Sequence, residues 1–132
     1  MASLYDRADI YDLFDSPKKD EQTKAHWQAV FGGKPPHTVL DVSIGTGGLT
    51  LPLSELGVTL YGSDLSESML ARCAQKAKDR GLTVDLRQSD FRELTNHFDR
   101  RFDCVMSTGN SLAYVTNGEI TSVLEQMDAL VE

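Results

Sequence analysis

Residues 39–48 read VLDVSIGTGG, and the break from strand to glycine within them decides the fold. Val39, Leu40, Val42 and Ile44 are apolar and mostly β-branched, as in a strand buried on both faces of a parallel sheet, with Asp41 the charged exception. Gly45, Gly47 and Gly48 then place three glycines within four positions, where the backbone turns tightly with no side chain in the way. A strand, a glycine turn and a helix N-terminus aim main-chain N–H groups at an anionic or oxygen-rich ligand. From this stretch alone, a nucleotide-like cofactor site and an ordinary strand-to-helix loop both stay open.

Upstream, residues 5–31 have helical spacing interrupted at Ser16-Pro17, which predicts two short helices; Gly32, Gly33, Pro35 and Pro36 make a linker. Tyr5, Tyr11 and Trp27 read first as packing residues, in a segment that also suits a lid. Downstream, a strand over 38–43 is followed by a short helix over 48–56, with Pro52 near its first turn and Gly57 closing it. Val58 to about Gly62 is a second strand ending in Asp64. Ser66 caps a helix that buries Met69, Leu70, Cys73, Ala74 and Ala77 and stops before Gly81. Val84 and Leu86 mark a third strand ending at Asp90, residues 92–100 a short helix or loop holding His97, residues 102–108 a fourth strand, and 117–131 a last helix. Strands alternating with helices specify an α/β fold: a Rossmann-like three-layer α/β/α sandwich with a parallel sheet, right-handed crossovers and preceding N-terminal helices. The 132 residues make one domain, with a helical lid and linker over 1–37 and the core over 38–132.

A formal charge of −7, from 20 acids against 13 scattered bases, disfavours a nucleic-acid partner and suits a small molecule. No apolar run approaches a membrane span, and the acidic N-terminus is unlike a signal peptide, so a cytoplasmic location is expected. Cys73 and Cys104 lie 31 positions apart with no metal-ligand grouping, and read as reduced core residues. His26, His37 and His97 read as helix surface, linker and loop, with His97 a minor candidate for a general base.

In a parallel sheet the carboxyl ends of the strands share one edge, where open α/β sheets bind ligands at the topological switch. Gly45 to Gly48, Asp64, Asp90 and Thr108 to Ser111 all map there. A carboxylate ending the second strand suits both ribose hydroxyls, which is Asp64. An acceptor ending the third strand suits the adenine amino group, with the next side chain on the ring face, which are Asp90 and Phe91. Plain core packing is the other reading of Phe91. A dinucleotide fingerprint needs a third glycine where this chain has Thr50. The pattern D-x-x-x-G-x-G from Asp41 to Gly47 instead resembles motif I of the class I S-adenosylmethionine-dependent methyltransferases. Asp64 and Asp90 match that family's acids after strands two and three, and Phe102 to Ser111 its strand-four motif. The Gly109-Asn110-Ser111 stretch with Leu112 and Tyr114, and the Tyr5…Tyr11 pattern, are similar to small-molecule members including glycine N-methyltransferase relatives.

The resemblance implies strand order 3-2-1-4, S-adenosyl-L-methionine as cofactor, and in-line methyl transfer to a small-molecule acceptor. It implies a cofactor site made by Asp41, Ser43, Gly45, Gly47, Asp64, Leu65, Asp90, Phe91 and Thr108. Ser43 stands where the family often has another small residue. Asn110, Tyr11 and Tyr114 are the candidates facing substrate, the tyrosines as aromatic walls. No metal is implied. The family's fold continues to seven strands, so either the chain is incomplete or a homodimer covers the fourth-strand edge. A non-catalytic S-adenosylmethionine-binding module is the alternative function, and a nicotinamide-dependent oxidoreductase domain a weaker one.

Overall fold

The computed structural model describes residues 17–90, 93–108 and 117–131. They form α1 (Pro17–Phe31), β1 (Thr38–Asp41), α2 (Leu51–Ser54), β2 (Thr59–Asp64), α3 (Glu67–Asp79), β3 (Val84–Gln88), α4 (Leu94–His97), β4 (Cys104–Met106) and α5 (Asn117–Leu130). The sheet is parallel throughout, in the order β3-β2-β1-β4. This is the order and layering that the sequence predicts. Asp41 pairs with Gly62 on one side and Met106 on the other, and Asp64 pairs with Gln88, so the strands' carboxyl ends stand level along one edge.

Alternation along β1 divides the core. Val39 packs on one face with Leu51, Leu53, Leu60, Leu70 and Cys73, and Leu40 packs on the other with Leu94, Phe98, Phe102 and Leu130. Burying a leucine fully, as at Leu40, Leu53 and Leu60, contributes about 2 kcal/mol each before the entropy of ordering is set against it. α3 begins where the sequence places it: the Ser66 hydroxyl accepts the Met69 N–H at 3.3 Å. Pro52 falls in the first turn of α2, where its missing N–H costs no helical bond.

β2 ends on Asp64, as the sequence places it, with Gln88 as its ladder partner. Other boundaries differ from the sequence reading: β1 stops at Asp41 rather than 43, and α2 covers Leu51–Ser54 rather than 48–56. β3 stops at Gln88, short of Asp90: the Ser89 N–H still bonds the Asp64 carbonyl at 3.1 Å, and the chain then turns. β4 is only Cys104–Met106, because Phe102 pairs instead in a parallel bridge with Val131, its N–H donating to the Leu130 carbonyl at 2.7 Å. Pro17 opens α1, and the first expected helix lies outside the described residues. Among the described residues no helix is long and apolar enough to cross a membrane.

Candidate functional site at the carboxyl edge

Past β1 the strand's hydrogen bonds continue: the Val42 N–H donates to the Met106 carbonyl at 2.9 Å and the Ile44 N–H to the Ser63 carbonyl at 3.0 Å. The two bonds go to opposite neighbours, so the glycine turn sits over the point where the sheet divides between β2 and β4. The Gly47 N–H closes the turn on the Ile44 carbonyl at 2.9 Å, and the Leu51 N–H bonds the Gly47 carbonyl at 2.9 Å, carrying the chain into α2.

Asp41 holds this junction together from inside. Its side chain is fully buried; Oδ1 accepts the Ser43 N–H at 3.1 Å and the Thr108 N–H at 3.3 Å. Oδ2 accepts the hydroxyls of Thr50, at 3.0 Å, and Thr108. One carboxylate thus ties the loop after β1, the start of α2 and the loop after β4. The Ser43 and Ser107 hydroxyls make a second tie at 2.7 Å. Burial pushes the Asp41 carboxyl above its ordinary pKa, opposed by the Thr108 hydroxyl, the Ser43 and Thr108 main chain and the Thr50 hydroxyl.

Asp64 does the same one strand over. It is 1% exposed; Oδ2 accepts the Gly45 N–H and Oδ1 the Ser66 N–H, both at 2.9 Å. The sequence reading gives this carboxylate to a ligand's hydroxyls, and the structure gives it also to the main chain, where it joins the glycine turn to the α3 cap. Beside it, Leu65 is an apolar side chain left 61% exposed on the same edge, and the Gln88 amide holds its carbonyl at 3.1 Å. Asp90 is half-buried, one residue past the Ser89 that bonds Asp64.

The structure therefore brings Asp41, Ser43 and Thr108 into one network, and Gly45 with Asp64 into another. Asn110, Tyr11, Tyr114 and Phe91 lie outside the described residues. His97 ends α4 and its carbonyl accepts from Arg87. The first reading of His26 as plain helix surface is incomplete: with Gln22, Thr23, Trp27, Leu49 and Thr108 it lines a cleft of about 400 Å³ between α1 and the glycine turn. Trp27 packs as expected, stacking on Phe31 with ring centroids 5.9 Å apart, but its indole N–H also donates to the Leu49 carbonyl at 2.7 Å. The bridges Asp20–Arg80 and Lys24–Glu55, each at 3.0 Å, tie the same helix to the C-terminal ends of α3 and α2. Thr50 and, in the cleft, Gln22, Thr23, His26 and Leu49 are the ones sequence reasoning missed. The spacing of Gln22, Thr23, His26 and Trp27, one helical face, was the signal available for the cleft.

A family model for a methyltransferase domain matches residues 39–132. Phosphatidylethanolamine N-methyltransferase of Cereibacter sphaeroides is 41% identical over 114 residues, covering 81% of this chain and 52% of that protein. This chain thus spans about half the length of that relative. Among solved structures, the CcbJ methyltransferase of Streptomyces caelestis superposes with a TM-score of 0.76 at 27% identity, over 95% of this chain and 51% of that one. Magnesium protoporphyrin IX methyltransferase of Synechocystis PCC 6803, solved with bound SAH, gives 0.69 at 24% identity, over 87% of this chain and 51% of that one, a likeness of fold.

Proposed function

The chain belongs to the methyltransferase-domain family, and we propose that it binds S-adenosylmethionine along the carboxyl edge and passes the methyl group to a small-molecule acceptor. The observation that carries this reading is the pair of buried carboxylates, Asp41 and Asp64, fixing the glycine turn between them. The edge fits such a cofactor. Gly45 is in the left-handed region at φ 59°, and among the described residues nothing lies within 4 Å of where a side chain would project, so a ligand can lie against its main chain. Leu65 offers an exposed apolar surface for a purine ring beside Asp64, whose carboxylate is placed to receive ribose hydroxyls as well. Asp90 and Phe91 belong to the adenine end of this proposed site, and Ser43 and Thr108 to its methionine end.

Bound there, the cofactor supplies an electrophilic methyl on a positively charged sulfur, which needs no covalent intermediate with the protein. The chain's own work is positional: Asp41 sets the turn and the β4 loop, Asp64 sets the turn against α3, and α1 limits water above them. Asn110, Tyr11 and Tyr114 remain the proposed acceptor-side contacts.

Calorimetric titration tests the reading. S-adenosylmethionine and its demethylated product are expected to bind and NAD to give no heat. Asp64→Ala removes a charge-assisted acceptor, so affinity should fall about 100-fold. Absence of binding by the unaltered protein, or binding of NAD, would remove the reading.

A homodimer is proposed at the sheet margin. β4 is half-buried and has a strand neighbour, β1, on one side only among the described residues. Such an edge invites pairing. Light scattering should give twice the mass of the chain, and a monomer whose β4 amides exchange freely with solvent would sink the idea.

A further inference from the structure

Among the described residues, those lining the cleft between α1 and the glycine turn include no carboxylate, ammonium or guanidinium, and His26 is their one titratable side chain. The charges nearby on α1 are engaged elsewhere: Lys24 with Glu21 and Glu55, Asp20 with Arg80. A cation entering here would give up water without gaining an opposite charge from these residues. Trp27 and Leu49, the latter 47% exposed, form an apolar wall, and Gln22 and His26 bring hydrogen-bonding groups. The imidazole is exposed and tilted at 59° to the indole, with centroids 5.3 Å apart. Because the indole N–H is bonded to the Leu49 carbonyl, position 26 is held in a fixed relation to the glycine turn.

The cleft also lies at the correct end of the edge. Asp64 ends β2 and Leu65 follows it, Thr108 follows β4, and β1 with its glycine turn lies between. Adenosine at the β2 side leaves the sulfonium over the turn, facing Thr108 and α1. We propose that this cleft receives the methyl acceptor, a molecule with an apolar or aromatic body and no positive charge, and that His26 faces the methyl group as it is transferred. This rests on the cofactor reading above.

The variant His26→Cys tests the placement without knowledge of the natural acceptor. When it is loaded with S-adenosylmethionine, the introduced thiol gives its proton to solvent and the thiolate sulfur forms a bond to the methyl carbon. The methyl–sulfonium bond breaks, and its electron pair stays on the cofactor sulfur as a neutral thioether. Mass spectrometry should show the introduced thiol carrying one methyl group, with one equivalent of demethylated cofactor released. The rate should exceed that of Gln28→Cys, which is exposed two positions along α1, by about 100-fold, a modest gain for a reactant held in place. The unaltered protein, with Cys73 and Cys104, sets the background. Tight cofactor binding by both variants with no faster methylation in His26→Cys would overturn the inference and leave the cofactor reading standing. Failure of the unaltered protein to bind S-adenosylmethionine would overturn both.

Discussion

Asp41→Ala is expected to cost about 4 kcal/mol of stability, because it strands several buried donors at once. The Ser43 and Thr108 N–H groups and the Thr50 hydroxyl lose their acceptor, and Thr50 and Ser43 lie too deep for water to replace it. Asp41→Asn should behave differently. Its amide oxygen can accept both N–H groups, and its NH₂ can donate to the Thr50 and Thr108 hydroxyls, which only need to rotate. The pH dependence separates charge from geometry. Since burial raises the folded-state pKa of Asp41, the folded protein binds a proton more tightly than the unfolded chain does. This group's contribution is therefore most favourable below the unfolded value and is lost as pH rises through the folded one. Compared by urea midpoint from about pH 4 to about pH 8, the unaltered protein should lose stability relative to Asp41→Asn as pH increases. A difference that is constant with pH, or an alanine variant as stable as the asparagine one, would show that the carboxylate neither carries a buried charge nor holds the junction.

The same residue shows how far the sequence could be read. Asp41 stands out as one acid in an apolar strand, and that contrast locates the site, but its partners lie 2, 9 and 67 positions away. Only the nearest belongs to the same motif. Thr50 illustrates the limit: from sequence it serves to argue against a dinucleotide fingerprint, and only the fold shows its hydroxyl on Asp41. Alternation led to a parallel sheet with right-handed crossovers, and the order of its strands came from the family resemblance of the matched motifs. Not every strand end followed, since ends depend on the neighbour: β3 stops at Gln88, where its pairing with Asp64 ends, and Phe102 leaves the β4 ladder for Val131. The cleft was hidden for a related reason. A helix face with Thr23, His26 and Trp27 looks like an ordinary amphipathic surface until the Trp27–Leu49 bond puts it over the turn.

The two turn glycines should fail in opposite ways when changed to alanine. At Gly47, φ is 83°, and an added Cβ would lie 2.7 Å from Leu51 Cγ and 2.8 Å from Cys73 Sγ. Both neighbours are fully buried, so neither side chain can swing into solvent to make room. The left-handed backbone and the overpacked contact together should cost about 3 kcal/mol, a large share of the stability of a domain this size. At Gly45 the backbone strain is of the same kind, but among the described residues the added methyl meets nothing within 4 Å. Gly45→Ala should therefore cost about 1 kcal/mol, from conformation alone. Its methyl would instead stand where a bound cofactor's main-chain contact is made, and affinity for demethylated cofactor should fall about tenfold or more. Urea unfolding and calorimetry on the two variants give four numbers, and the expected pattern is crossed: Gly47→Ala unstable, Gly45→Ala stable but weak in binding. Equal losses of stability would mean that packing against Leu51 and Cys73 does not distinguish the two positions. Unchanged affinity in Gly45→Ala would mean that the open space at the turn is not where the cofactor lies, and the proposed site would have to move off the glycine turn.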